Sequence, residues 1–316
     1  MRNAPTMREA EGEVRTTAYD AAHLVAAMPR LILEARRVAV SVFHGIHGRR
    51  RAGPGENFWQ YRRFVDGEPA SRVDWRRSAR DDLLFVRERE WEAAHTIWIW
   101  PDCSPSMVFT SLRDGPTKRD RALVLAFALG ELLVRGGERV GIPGIMRPTA
   151  SRAVIERMAD MIVHFAGEPP SLPPPFRPGS RDEVVLLSDF WSPASEVTGT
   201  IAALGGNGAG GHVIQIVDEA EETFPYSGRI EFEEPEGAGS ITVGRAEVWA
   251  ADYIERVARH RAAIRAESAR RGWSFAIHRT NRPASELLLS LHAQMSASPD
   301  SFPHRKPGGS AEGAAA

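Results

Sequence analysis

Cysteine is nearly absent. The single Cys103 in 316 residues rules out a disulfide framework and a cysteine-based zinc site, and it suits a reducing cytosol. An excess of either charge is also missing. Lys+Arg 40 against Asp+Glu 41 gives a formal net charge of -1, so the chain as a whole favours neither nucleic acid nor an acidic partner. No apolar run is long enough to span a bilayer. The best stretch, Leu123 to Val134, is short, carries Glu131 and follows Lys118-Arg119-Asp120-Arg121, the pattern of a buried amphipathic helix. Met1 to Arg15 mixes Arg and Glu without an apolar centre, so no secretory signal or integral membrane segment is expected and the location is read as cytoplasmic.

Several catalytic signatures are missing as well. There is no G-x-S-x-G elbow, no G-x-x-x-x-G-K-[ST] loop and no H-E-x-x-H helix. Phe109, not arginine, stands six positions after Cys103, which removes a C-x5-R phosphatase loop. Asp102-x-Ser104 also lacks the second Asp of an aspartyl-phosphate hydrolase. Gly206 to Gly211 spells G-x-G-x-x-G, but it leads from a helix into a strand, the reverse of a dinucleotide loop. With no nucleophile and base in sight, the chain is expected not to be an enzyme.

What the sequence does have is a 42% hydrophobic composition, ample for a core, and one stretch around which the rest is arranged. Thr96-Ile-Trp-Ile-Trp-Pro101 is a run of β-formers that ends in Asp102-x-Ser104-x-Ser106. A buried strand thereby delivers a carboxylate and two hydroxyls to its carboxyl end, where open α/β sheets bind ligands. Hard divalent cations such as Mg2+ take oxygen ligands of this type and keep positions open for water or a partner's oxygen. Taken alone, Asp and Ser at this point serve equally well as turn residues or helix N-caps. A second apolar run, Glu183 to Ser188, ends in Asp189, and two parallel strands that bring carboxylates to one edge can converge on a cation.

Periodicity places a helix from Tyr19 to about Val42 and a strand from Leu83 to Glu92, read as a neighbour of the central strand. A strong helix follows from Lys118 to Arg135, closed by Gly136-Gly137, then a strand from Arg139 and a helix from Arg152 to Phe165. Thr149 and Ser151 precede that helix and on statistics would cap it. Between Arg49 and Arg80, arginines alternate with aromatics, a pattern that can track phosphates and stack bases. Glu56, Asp66, Glu68, Asp74, Asp81 and Asp82 lie among them, so local ion pairing is the favoured reading and nucleic acid is not the expected partner. The resulting division is a disordered N-terminus over 1–17, an N-terminal helix with an arginine-aromatic β extension over 18–92, a main domain over 93–295 and a disordered tail over 296–316.

An ordered set of residues then carries a resemblance. Gly53-x-Gly55-Glu56-x-Phe58, Arg62/Arg63, Gly67, Arg72-Val-Asp74-Trp75, Ser78-Ala79-Arg80, Val86-Arg87-Glu88 and Asp102-x-Ser104-x-Ser106-Met107 together resemble the signature of the bacterial domain of unknown function 58 family. That resemblance implies an α/β fold: a von Willebrand factor A-like (Rossmann-like), mainly parallel sheet of the six-stranded type, flanked by helices, with an N-terminal helix and a small irregular β extension. It further implies a metal-ion-dependent adhesion site. Carried over residue by residue, Asp102, Ser104 and Ser106 would bind Mg2+, or Mn2+, with Asp189 as the second acid. Thr149 would supply the threonine, with Ser151 behind it, and a partner's carboxylate would complete the shell. The glycine-rich lead-in to that threonine is absent, which leaves a weakened or metal-free site as the alternative; elsewhere Gly67-Glu68 stands for the family's Gly-Asp, a conservative change. Family members are commonly encoded beside MoxR-type AAA+ ATPases, which implies a protein-binding role in assembling or activating a client complex. The alternatives are a nucleic-acid-associated protein using 49–80 and a Mg2+-dependent hydrolase, which would need a base beside the metal.

Overall fold

A computed structural model describes residues 7–47, 59–65, 68–80, 83–89, 94–233 and 239–297. Helix α1 (Met7–His47) turns Met28, Leu31, Ala35, Ala39 and Val42 inward at three- and four-residue spacing. It begins well before Tyr19, so residues 7–17 are helical and the expectation of disorder over 1–17 is corrected for them. Met7-Arg-Glu-Ala-Glu is rich in strong helix formers but poor in apolar residues, so periodicity misses what propensity favours. Residues 1–6 and the tail beyond 297 lie outside the described residues.

Strands β1 (Trp59–Arg63) and β2 (Phe85–Arg89) form an antiparallel ribbon of their own, with the one-turn helix α2 (Trp75–Ser78) between them. Asp74 caps α2 by accepting from the Arg77 amide at 3.0 Å, and the Ser78 hydroxyl accepts from the Phe85 amide at 2.9 Å. This corrects the placement of the 83–92 strand beside the central one. Its ladder partner is Trp59–Arg63, and an isolated Val73–Val86 bridge adds to the ribbon. Residues 48–58, where the arginine-aromatic segment begins, lie outside the described ones.

The main sheet is built from β3 (Thr96–Pro101), β4 (Arg139–Ile142), β5 (Met146–Thr149), β6 (Glu183–Ser188), β7 (Gly210–Val217) and a last strand, β10 (Ser274–Arg279), which follows the small hairpin of β8 (Ile230–Glu233) and β9 (Ser240–Val243). Its order is β10-β7-β6-β3-β4-β5. All neighbours are parallel except β4 and β5. Starting at β3 the chain steps one way to β4 and β5, then returns to β6 and steps the other way to β7 and β10. The direction of winding therefore reverses between β3 and β6, where α/β sheets open a crevice beyond their carboxyl ends.

Helices cover both faces. Helix α3 (Lys118–Arg135), α4 (Val154–Val163), α8 (Ala284–Ala297) and α1 lie on one face, over Ile97, Ile99, Val185, Leu187, Ile214 and Ile216. On the other, α5 (Ala194–Leu204) and α7 (Ala250–Arg270) lie over Trp100, Val184, Leu186 and Val213. The strict alternation along β3 and β6 is the two-residue period of a strand buried on both faces. Helix α3 is apolar almost all round because it is enclosed, with the sheet below and α1 above. Ala122 to Leu129 are all buried, and each large aliphatic among them contributes roughly 1.5–3 kcal/mol. Among the described residues no helix is long and apolar enough to cross a membrane.

Candidate functional site

Pro101 ends β3 at a tolerant point. The Asp102 amide donates to the Leu187 carbonyl of β6 at 2.8 Å, so by alternation Pro101 faces the β4 side, beyond the end of β4. The loop that follows is pinned by the 3-10 turn Pro105–Val108, which drives Met107 fully into the core while its amide donates to the Ser104 carbonyl at 3.0 Å. Asp102 and Ser104 are thereby buried beneath the loop.

Asp102 is 0% exposed. Its Oδ1 accepts from the Ser104 amide at 2.8 Å and its Oδ2 from the Ser188 hydroxyl at 2.6 Å. The Ser104 and Ser106 hydroxyls stand 3.2 Å apart. Burial, and after it the negative charge of Asp189, push the Asp102 carboxyl up to about 7 against the donated hydrogen bonds. Asp102 has no ion-pair partner among the described residues, and a buried acid in that position is costly to ionise.

Asp189 behaves differently. It is 2% exposed, and its Oδ2 accepts from the Lys118 ammonium at 2.7 Å, while Oδ1 accepts from the Trp191 amide at 3.1 Å. Lys118 is itself only 1% exposed and also donates to Glu221 Oε1 at 2.5 Å. Burial works against the ammonium, but Asp189 and Glu221 outweigh it and hold the lysine above its ordinary value, while burial raises Glu221. Glu221 is set by the short helix α6 (Glu219–Thr223), whose capping box joins Asp218 and Glu221, and by the Trp191 indole at 3.2 Å. Phe190 turns the chain after Asp189 with φ 54°, a left-handed conformation unusual for a bulky side chain. Two contacts hold that turn. His260 Nε2 donates to the Phe190 carbonyl at 2.6 Å, and Gln215 donates to the Asp189 carbonyl at 2.9 Å.

Asp102, Ser104, Ser106 and Asp189 are thus gathered at the switch point of the sheet. Thr149 is not. It pairs with Val140, level with Ile97, and Asp102 lies five residues further along β3, roughly 16 Å at about 3.3 Å per residue. Because β5 runs antiparallel, its end returns to the opposite edge of the sheet. There Thr149 Oγ1 accepts from the Ser151 amide at 3.2 Å, and Ser151 Oγ accepts from the Ala153 amide at 3.3 Å. Both residues are removed from the candidate ligand set. The hydroxyl that does reach the Asp189 loop is Ser171, which accepts from Ser192 at 3.2 Å.

Sequence reasoning missed Lys118, Glu221 and Ser188. A signal existed for the first two. Lysine at the first position of a helix opposes the helix dipole, and Asp218-x-x-Glu221 is a capping-box pattern. Cys103, beside Asp102, has its thiol pushed up to about 12 by burial and by the Asp102 charge, so it is not a thiolate nucleophile.

The donor set fits a hard cation in part. One carboxylate without a counter-ion and two adjacent hydroxyls are oxygen donors of the kind Mg2+ takes, whereas Asp189 is already engaged by an ammonium. Among the described residues no cluster of three or more His, Cys, Asp or Glu side chains forms a metal cage, so a cation here would rest on serine oxygens as much as on acids.

Fold and site together define a mixed α/β protein whose mainly parallel six-stranded sheet carries buried Asp102, Ser104 and Asp189 at its switch point. A family profile described as "Protein of unknown function DUF58" matches residues 60–263, and the chain belongs to that family. It is similar to the uncharacterized proteins Mb1516 of Mycobacterium bovis and Rv1480 of Mycobacterium tuberculosis, with 32% identity over 119 residues. The match covers 37% of this chain and spans 37% of the length of those relatives. Among solved structures it is similar to the conserved hypothetical protein BatB from Bacteroides thetaiotaomicron, at 13% identity and TM-score 0.39, over 65% of this chain and 100% of that one.

Proposed function

We propose that this chain is a non-enzymatic protein-binding module in which Asp102, Ser104 and Ser106 hold Mg2+ and a carboxylate of a partner protein completes the shell. The observation that carries the reading is Asp102. A fully buried acid with no counter-ion among the described residues, at the switch point of the sheet and beside two hydroxyls, is accounted for if a cation shares the site. Bound there, the cation would supply a Lewis-acidic position for an incoming carboxylate, while the Ser104 amide and Ser188 hydroxyl orient the Asp102 oxygens. Asp189 stays with Lys118 and lends negative charge to the crevice without contacting the metal.

A von Willebrand factor A-like classification belongs to the same proposal and is supported by the strand order with its single antiparallel edge strand. The family resemblance supports a MoxR-type AAA+ ATPase, acting on a client complex, as the partner. The test is co-purification of tagged wild type and Asp102→Asn with the MoxR-type ATPase of the same genome, in Mg2+ and in EDTA. Capture that requires both Mg2+ and Asp102 is expected. Equal capture by the variant, or capture indifferent to EDTA, refutes the reading.

A further inference from the structure

Lys118 is among the largest fully buried side chains of the described residues and an unusual one to enclose. It does not serve the helix it begins, because a cation in the first turn opposes the dipole and Thr117 already caps α3 through the Asp120 amide at 3.0 Å. Its ammonium bridges two loops, the one after β6 through Asp189 and the one after β7 through Glu221. Both carboxylates are fixed independently, by the Trp191 amide on one side and by the Asp218 amide and Trp191 indole on the other. The Lys118 ammonium thus sits on Asp189 and Glu221 and not on Asp102, which is joined to the β6 strand end through the hydroxyl of Ser188, the residue before Asp189.

We infer that Lys118 competes with the divalent cation for Asp189 and so sets how tightly the site holds metal. This rests on the metal-binding reading of Asp102, Ser104 and Ser106. With the ammonium in place the metal has one carboxylate ligand and a positive neighbour, so affinity is held down and the shell depends on a carboxylate from outside. Without the ammonium, Asp189 is released as a second acidic ligand, and the number of ligand charges is a main determinant of affinity for hard cations.

Calorimetric titration of Mg2+ into the full chain tests this. Lys118→Met alone strands two buried carboxylates and is liable to unfold, so the working variant is the charge-balanced Lys118→Met/Glu221→Gln, with folding checked by circular dichroism. Its affinity for Mg2+ is expected to rise about tenfold or more over wild type, and adding Asp189→Asn is expected to return it to wild type or below. A purely structural lysine would give the opposite result, a variant that binds less. The inference is overturned if the double variant binds no tighter than wild type, or if its gain survives Asp189→Asn. Asp102→Asn separates the two layers. Wild-type affinity in that variant removes the proposed ligand set and the inference with it, whereas lost affinity there with no gain in the double variant overturns the inference alone. No Mg2+ binding by any variant removes both.

Discussion

Replacing Asp102 by asparagine removes a titratable carboxyl from the site and keeps the side-chain shape. The amide oxygen still accepts from the Ser104 amide, and the Ser188 hydroxyl can turn to accept from the new NH2. The carboxyl of Asp102 titrates at about 7 in the folded protein against 3.8 ordinarily, mainly because it is buried. Below pH 4 it is protonated in both states and adds no pH dependence. Between pH 4 and 7 the folded state keeps a proton that the unfolded chain has released, so each pH unit removes about 1.4 kcal/mol of stability, reaching about 4 kcal/mol above pH 7. The asparagine variant has no proton to release at this position and escapes that loss. Urea denaturation followed by tryptophan fluorescence in EDTA should therefore show the advantage of Asp102→Asn growing by about 4 kcal/mol from pH 4 to pH 8 and then levelling off. Adding Mg2+ at about a hundred times its dissociation constant should return about 2.7 kcal/mol to wild type and nothing to the variant. An advantage that does not grow with pH refutes the electrostatic account of Asp102. Equal stabilisation of both proteins by Mg2+ refutes its role as a ligand.

Three further outcomes are expected. Thr149→Ala should leave Mg2+ affinity within about twofold of wild type by calorimetry, because Thr149 stands at the far edge of the sheet, and a large loss would place it in the site after all. His278 is buried and lowered to about 4 from 6.5 by burial and by Arg121, and its Nε2 has no hydrogen-bond partner. The unfolded chain thus gains a proton on acidification before the folded one does, and wild type should lose about 3 kcal/mol relative to His278→Leu as pH falls from 6.5 to 4. A parallel pH dependence of the two proteins would contradict this. A Cβ on Gly211 would lie 2.3 Å from the ring of Trp273, whose indole is fixed to the Ala209 carbonyl at 2.8 Å, so Gly211→Ala should cost at least about 2 kcal/mol in thermal denaturation. An unchanged melting temperature would mean that the ring moves aside.

How far the sequence predicts this arrangement depends on the range of the forces that set it. Helix α3, closed by Gly136 and Gly137, and the buried runs of β3 and β6 are written in local pattern, and so is the delivery of Asp102 and Asp189 to strand ends. Strand pairing is not local. Nothing in Phe85–Arg89 indicates that its ladder partner is Trp59–Arg63 and not β3, because pairing is decided by whole-chain topology. The short strand β5 hides behind Pro148, a residue tolerated in a sheet only at an edge, and its antiparallel course is what takes Thr149 away from the crevice.

The same distinction explains why four candidate ligands divide as they do. Asp102, Ser104 and Ser106 are brought together by one short turn of consecutive residues, so their proximity survives any error in long-range topology. The environment of Asp189 is set by Lys118 and Glu221, which come from two other segments of the chain. A carboxylate at a strand end is only a potential ligand until its counter-ion is known. In this crevice the fold supplies an ammonium to one acid and withholds it from the other, and that asymmetry sits between neighbouring strands about 4.8 Å apart. On the proposed reading, cation binding at this site would follow from the balance of charge between the β3 and β6 loops more than from the Asp-x-Ser-x-Ser pattern itself. A relative that keeps the pattern but places a neutral residue at the position of Lys118 should bind divalent metal more tightly than this chain does.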